Sequence, residues 1–318
     1  MPAKRPRLST PAVIDFEVIS PTRDRVGESP LWSVREQALY WVDIDGHAIR
    51  RLDWATRAVT SWQTPERVGC IALRAGGGFV GGMESGVFAI DLPPGGGTAR
   101  TRLLQAVQHP RAGMRFNDGR LDRQGRLWAS TMVMDGSLAA ADGALFRFDA
   151  QGLSAPLVRG LVTGNGLAFS PDGRRMYLSD SHPTVQRIWQ LDLGEDGMPR
   201  NQREFVDMRP LPGRPDGAAM DTEGGYWICG NGAGQIHRFT PDGRLDRSIA
   251  VPFSKPAMCS FGGPDLSWLF VTSIPPVQAA PGFDPAFDGA VIALRPGAQG
   301  LAEPEFPFAV GGLAGGIS

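Results

Sequence analysis

Apolar and polar residues alternate along this chain in short runs that repeat. Within Gly164 to Ser181 an apolar run, Leu167-Ala168-Phe169, meets turn residues at Ser170-Pro171-Asp172-Gly173, and a second run, Met176-Tyr177-Leu178, leads away. That is the pattern of a β-hairpin. Five further copies anchor at Trp32, Leu73, Leu121, Met220 and Phe261. Their second strands carry Tyr40-Trp41, Phe79-Val80, Leu127-Trp128, Tyr226-Trp227 and Trp268-Leu269-Phe270. Each unit then offers another strand-like segment, such as His47 to Asp53 or Arg187 to Leu193. Units of roughly 40 to 50 residues with about four strands each predict an all-β fold, a six-bladed β-propeller with four-stranded blades around a central channel. No long amphipathic helical pattern interrupts them. Val13 to Ile19 alternates like a strand ahead of the first blade and is expected to close the last one, since such closure removes an exposed edge. This leaves residues 1–12 as a disordered tail and 13–318 as a single propeller.

Four residues before each anchor stand Glu28, Gly69, Asn117, Asn165, Asp216 and Ala257. In a propeller, equivalent positions on the innermost strands form a ring around the channel at one end. Taken singly, Asn-Asp-Gly or Pro-Asp-Gly is an ordinary turn signal. Their common register is what turns four carboxylates and carboxamides into a candidate site, with Gly69 and Ala257 expected to leave room for a substrate. Oxygen donors without histidine or thiolate suit a hard divalent cation such as calcium, magnesium or manganese. Two residues further back lie Val26, Arg67, Arg115, Thr163, Arg214 and Lys255, which would give the mouth a positive rim able to draw in anions. For Arg67 and Lys255 a solvated surface role is an equal alternative.

Composition changes this picture little. The 318 residues carry a formal charge of −1, with 42 glycines and 27 prolines for the many turns. Basic residues are dispersed, so no nucleic-acid partner is expected, and no apolar run suits a membrane. Cys70, Cys229 and Cys259 are read as reduced core thiols in a cytoplasmic protein. The four histidines fall outside the common register and form neither a metal spacing nor a Ser-His-Asp pattern.

The segments GESPLW, RFNDGRLDRQGRLWASTM, GNGLAFSPDGRRMYLSD and RPDGAAMDTEGGYWICG together resemble the gluconolactonase/regucalcin (senescence marker protein) family. The resemblance spans the chain beyond its tail. It implies one divalent cation held by Glu28, Asn165 and Asp216 without fixing which metal; calcium is placed first, with zinc, manganese, magnesium or iron(II) also admissible. It implies Arg115 and Asn117 as substrate contacts, Asp216 as general base, and Asp135 as a further substrate contact. The activity implied is hydrolysis of a small sugar lactone, an aldonolactone, by a monomer or weak homo-oligomer. Two alternatives remain: a calcium-dependent esterase or phosphotriesterase on the same scaffold, which calls for a more apolar mouth, and a calcium-binding propeller without catalysis. Substrate choice is expected to lie in the loops Asp135 to Asp142 and Pro276 to Phe287.

Overall fold

The structure, a computed structural model, describes residues 10–20 and 22–308. Six sheets stand in a ring, and the inner strand of each touches the next all the way round: Gly27–Ser33, Val68–Leu73, Met114–Leu121, Gly164–Phe169, Arg214–Met220 and Pro256–Gly262. These open blades 1 to 6. Within each blade the strands run antiparallel outward, as in blade 4, where Gly164–Phe169, Arg175–Asp180, Arg187–Leu193 and Pro199–Asp207 follow in order. The six sequence anchors fall on these inner strands, so the hydrophobic repeat is the blade repeat.

The N-terminal segment is divided between two blades. Phe16–Val18 pairs antiparallel with Ile292–Leu294 as the fourth strand of blade 6. Ala12–Val13 instead runs parallel to the outer strand of blade 5, against Ile249 and Ala250. A single strand over Val13 to Ile19 is therefore replaced by two short ones. Ile14, between them, packs against the apolar cluster shared by blades 5 and 6, which breaks the extended run. The expected tail over residues 1–12 lies outside the described residues up to position 9, and Ala12 is already paired.

Aromatic side chains fill the layers between blades; Trp32, Trp41, Trp128 and Trp227 are all buried. A dry indole usually pairs its N–H with an acceptor; Trp32 Nε1 has none among the described residues, whereas the other three each have one. Trp128 donates to Asp122 Oδ2 at 2.8 Å and Trp227 to Asp221 Oδ2 at 2.8 Å, each aspartate lying just past the end of its inner strand. Arg126 and Arg238 reach the same oxygens at 2.6 and 2.7 Å. Blade 1 builds the same trio from other positions, with Trp41 on Asp24 at 2.7 Å and Arg50 on Asp24 at 2.5 Å. At that far end of the channel the C-terminal segment crosses the opening. Gly300 bridges to Asp221, Phe306 to Arg74, and Glu303 pairs with Arg120.

Asp221→Ala should leave Trp227 and Arg238 without their shared acceptor. Removing one partner of a buried charged pair costs about 3 kcal/mol, so urea unfolding should show a clear drop in midpoint. Asp221→Asn, which keeps an acceptor oxygen, should lose less. An unchanged midpoint in the alanine variant would refute a structural role for the trio.

Candidate functional site: a ring of oxygen donors at the channel mouth

Each inner strand has one extra residue relative to its partner, and in all six blades it falls at or just after the ring position. The register shifts lie between Glu28 and Leu31, Val68 and Cys70, Phe116 and Gly119, Asn165 and Ala168, Pro215 and Ala218, and Pro256 and Cys259. A β-bulge kinks the strand and re-aims a side chain. In blades 1 and 4 the kink places the residue after the ring member in the left-handed region, Ser29 at φ 49° and Gly166 at φ 65°. Glycine takes that conformation freely, whereas for Ser29 it costs on the order of 1 kcal/mol. Neighbouring blades support the kinked strands. Ser29 Oγ accepts from the N–H of Ile71 at 3.0 Å, and Asp118 Oδ2 from the N–H of Leu167 at 2.8 Å.

Glu28, Asn117, Asn165 and Asp216 all line one cavity of about 260 Å³ at the channel mouth, together with Arg115, Arg214, Lys255 and Asn231. A directed chain of hydrogen bonds sets the amides. Arg115 Nη1 donates to Asn117 Oδ1 at 2.7 Å, which turns the Asn117 amide nitrogen to Asn165 Oδ1 at 2.9 Å. Asn165 Nδ2 then donates to Ser181 Oγ at 2.5 Å, and Ser181 to the carbonyl of Pro215 at 2.6 Å. Because a guanidinium can only donate, Asn117 and Asn165 are held in one orientation. Asn165 Oδ1 keeps its second lone pair. On the far side Asn231 donates to Asp216 Oδ2 at 2.8 Å and accepts from Arg214 at 3.3 Å.

The carboxyls are held out of water close to one another. Burial pushes Asp216 up to about 7, against the pull of Arg214, the Asn231 bond and Lys255. Glu28 is raised well above its ordinary value, first by burial and then by the charges of Asp216 and Asp118. Asp118 itself is pushed up to about 6 by burial, and its Oδ1 has no hydrogen-bond partner among the described residues. Arg115 is lowered by burial.

Of the positions singled out from sequence, the structure brings Glu28, Asn165, Asp216, Arg115 and Asn117 together. Asp135 is separate. It is exposed, its carboxylate caps the 3-10 turn Gly136–Leu138 by accepting from Ser137 N at 2.9 Å, and it does not line the cavity. An acid followed by Gly-Ser is committed to that local cap, which competes with any reach inward. Gly69 and Ala257 do not provide the open space expected of them. A Cβ on Gly69 would run into the carbonyl oxygens of Phe116 and Asn117, the latter at 2.7 Å, and Ala257 is wholly buried. Arg67 on the rim is neutralised by Asp45 at 2.8 Å and Glu84 at 3.0 Å, whereas Arg115, Arg214 and Lys255 face the cavity. The three cysteines are unpaired and buried.

Asp118, Ser181 and Asn231 were not anticipated. Asp118 follows a ring residue directly and was absorbed into an Asn-Asp-Gly turn signal. Ser181 stands just past the end of a second strand, and Asn231 is the last residue of another. They lie toward the mouth from the ring, Ser181 beside Thr163 and Asn231 opposite Arg214, and meet Asn165 and Asp216 through their side chains. Among the described residues no group of three or more His, Cys, Asp or Glu side chains is placed to hold a metal. The donor set here comprises two carboxylates and a carboxamide.

The family model described as SMP-30/Gluconolactonase/LRE-like region matches residues 26–275. The chain belongs to this family. It is 39% identical over 285 residues to the 6-deoxy-6-sulfogluconolactonase of Pseudomonas putida, covering 88% of this chain and 94% of the relative. It is 32% identical over 258 residues to the L-arabinolactonase of Azospirillum brasilense, covering 80% and 83%. Among solved structures, the calcium-binding protein regucalcin of Agrobacterium tumefaciens superposes with a TM-score of 0.83 at 25% identity, covering 95% of this chain and all of the other.

Gly69→Ala separates an open ring position from a tight one. Forcing a methyl against two backbone carbonyls should cost about 1–3 kcal/mol, read as a lower melting temperature. A neutral substitution would restore the view that Gly69 leaves space.

Proposed function

We propose that this protein hydrolyses an aldonolactone to the open aldonic acid, using one divalent cation held by Glu28, Asn165 and Asp216. The chain is a gluconolactonase-like lactonase in this reading, in line with its sulfogluconolactonase and arabinolactonase relatives. The observation that carries it is the convergence of a buried carboxylate, Asp216, a half-buried one, Glu28, and an oriented carboxamide oxygen in one cavity, beside a guanidinium and an amide able to grip hydroxyls. These residues fit a hard cation. All donors are oxygens, and Glu28 and Asp216 repel each other out of water, a cost that a dication offsets. Calcium comes first, because a structural neighbour is described as calcium-binding.

When bound, such an ion supplies Lewis-acid polarisation of the lactone carbonyl. The chain's own residues account for the rest. Arg115 and Asn117 orient the ring hydroxyls. Asp216, with Asn231 fixing one of its oxygens, takes a proton from a water as the water oxygen bonds to the carbonyl carbon. The bond from that carbon to the ring oxygen then breaks, and Asp216 returns the proton to the departing oxygen. The products are a free hydroxyl and a carboxylic acid.

Asp216→Asn, assayed in excess cation, should lose on the order of 100-fold or more in kcat, the scale of a general base. Arg115→Ala should mainly raise KM. Aldonolactone opening at the wild-type rate by cation-loaded Asp216→Asn would remove the base role. Failure to open any aldonolactone, with any single metal restored to chelated protein, would remove the reading itself.

Proton and cation compete for the same carboxylates. Asp216 is shifted upward to about 7, so it holds a proton below neutrality that loading must expel, and Glu28 is raised as well, chiefly by burial. Cation affinity should therefore fall as pH drops below about 7 and level off above it, with proton release visible by titration calorimetry in buffers of different ionisation enthalpy. Affinity independent of pH between 6 and 8 would contradict this ligand set.

A further inference from the structure

We propose that the site selects a lactone carrying an anionic group, a sulfonate or phosphate on its terminal carbon, and seats that group on Lys255 and Arg214. This rests on the lactonase reading and adds the substrate class. The cavity is lined by three cationic side chains, Arg115, Arg214 and Lys255, besides the carboxylates Glu28 and Asp216; Asp45, also on its wall, is paired with Arg67. Once a dication offsets Glu28 and Asp216, no carboxylate forms an ion pair with any of those three among the described residues; Asp45 and Glu84 act on Arg115 only at a distance. Arg115 is engaged inward with Asn117 and the Phe116 carbonyl. Arg214 has only a 3.3 Å bond to the neutral Asn231, and the Lys255 side chain has no hydrogen bond or ion pair among the described residues. Asp288 is near enough to Lys255 to feel its charge but does not pair with it. Arg67, Arg238 and Arg126, by contrast, are each held in ion pairs. Two unneutralised cations side by side on a cavity wall amount to a waiting anion site.

Their position fixes which part of the substrate they meet. Arg214 lies two residues before Asp216 on its inner strand, and Lys255 two before Ala257, just ahead of the adjacent inner strand Pro256–Gly262. Two residues of extended backbone place them about 6–7 Å nearer the mouth than the ring residues. Arg115 and Asn117 belong to blade 3, so the ring hydroxyls turn that way. The substituent left to point at blades 5 and 6 is the one beyond the ring, on the terminal carbon. A neutral hydroxymethyl group there would leave both cations unanswered, whereas a sulfonate or phosphate presents three oxygens to them.

The test compares kcat/KM for glucono-1,5-lactone, 6-deoxy-6-sulfogluconolactone and 6-phosphogluconolactone at low and high salt. The wild type should favour one or both charged lactones by about tenfold or more, the scale of a charge-assisted hydrogen bond, and the preference should shrink with salt. Lys255→Met should reduce the ratio of charged to neutral turnover by about tenfold, and Lys255→Arg should keep it. Because Lys255 has no bonded partner to lose, folding is not at issue. As a readout independent of turnover, 6-phosphogluconate should bind the cation-loaded wild type more tightly than gluconate by calorimetry, and Lys255→Met should abolish the difference. Favouring sulfonate over phosphate, or the reverse, would identify the group. Equal turnover of charged and neutral lactones, or a ratio unmoved in Lys255→Met, overturns the proposal and leaves the lactonase reading standing. If no lactone is opened that reading falls, and the acid-binding comparison still decides whether the anion site exists.

Discussion

Crowding at the axis is the constraint from which the rest follows. Six inner strands converge on one channel, and straight strands would present identical faces to it from end to end. Here every inner strand gains one residue near the same end, so all six kink together. The bulges free backbone groups that must be satisfied again. Polar side chains from adjacent blades do so, as Ser29 does for Ile71 and Asp118 for Leu167. The same kinks turn Glu28, Asn165 and Asp216 toward a shared volume. Closing the ring and building the site are thus one structural event.

The far end of the channel is handled differently. There, aspartates just past the inner strands bind indole and guanidinium groups together, and the C-terminal segment lies across the opening. One end is therefore built for packing, with Asp122, Asp221 and Glu303 each in an ion pair. The other holds Glu28 and Asp216 close together and leaves Lys255 and Arg214 in no ion pair among the described residues, their charge felt by Asp216 across the cavity. Tolerated electrostatic cost on that scale marks the functional end.

Much of this was legible in the residues because periodicity survives in a repeat. Anchors such as Trp32 and Phe169 locate blades, and a fixed step back from them lands on the cavity wall at Glu28, Asn117, Asn165 and Asp216. Stepping back by a constant number works because all six bulges add the same residue. What depended on cross-strand pairing was hidden: Ser181 and Asn231 come from the mouth ends of second strands, beside Thr163 and Arg214, and reach the ring only through their side chains. Single-residue chemistry also misled. The bare positions Gly69 and Ala257 suggested space, yet Gly69 is small because two carbonyls of blade 3 press against it. Asp135, taken from the resemblance as a further contact, is instead engaged by its own turn.

The divided N-terminal segment links the two blades that carry Arg214, Asp216 and Lys255. Ala12–Val13 edges blade 5, and Phe16–Val18 completes blade 6 against Ile292–Leu294. During synthesis Phe16–Val18 leaves the ribosome long before its partner exists, so that edge must wait unpaired while five blades accumulate. The wall that bears Asp216, Arg214 and Lys255 is completed only when the last blade is made. Assembly of the protein therefore ends where its chemistry begins.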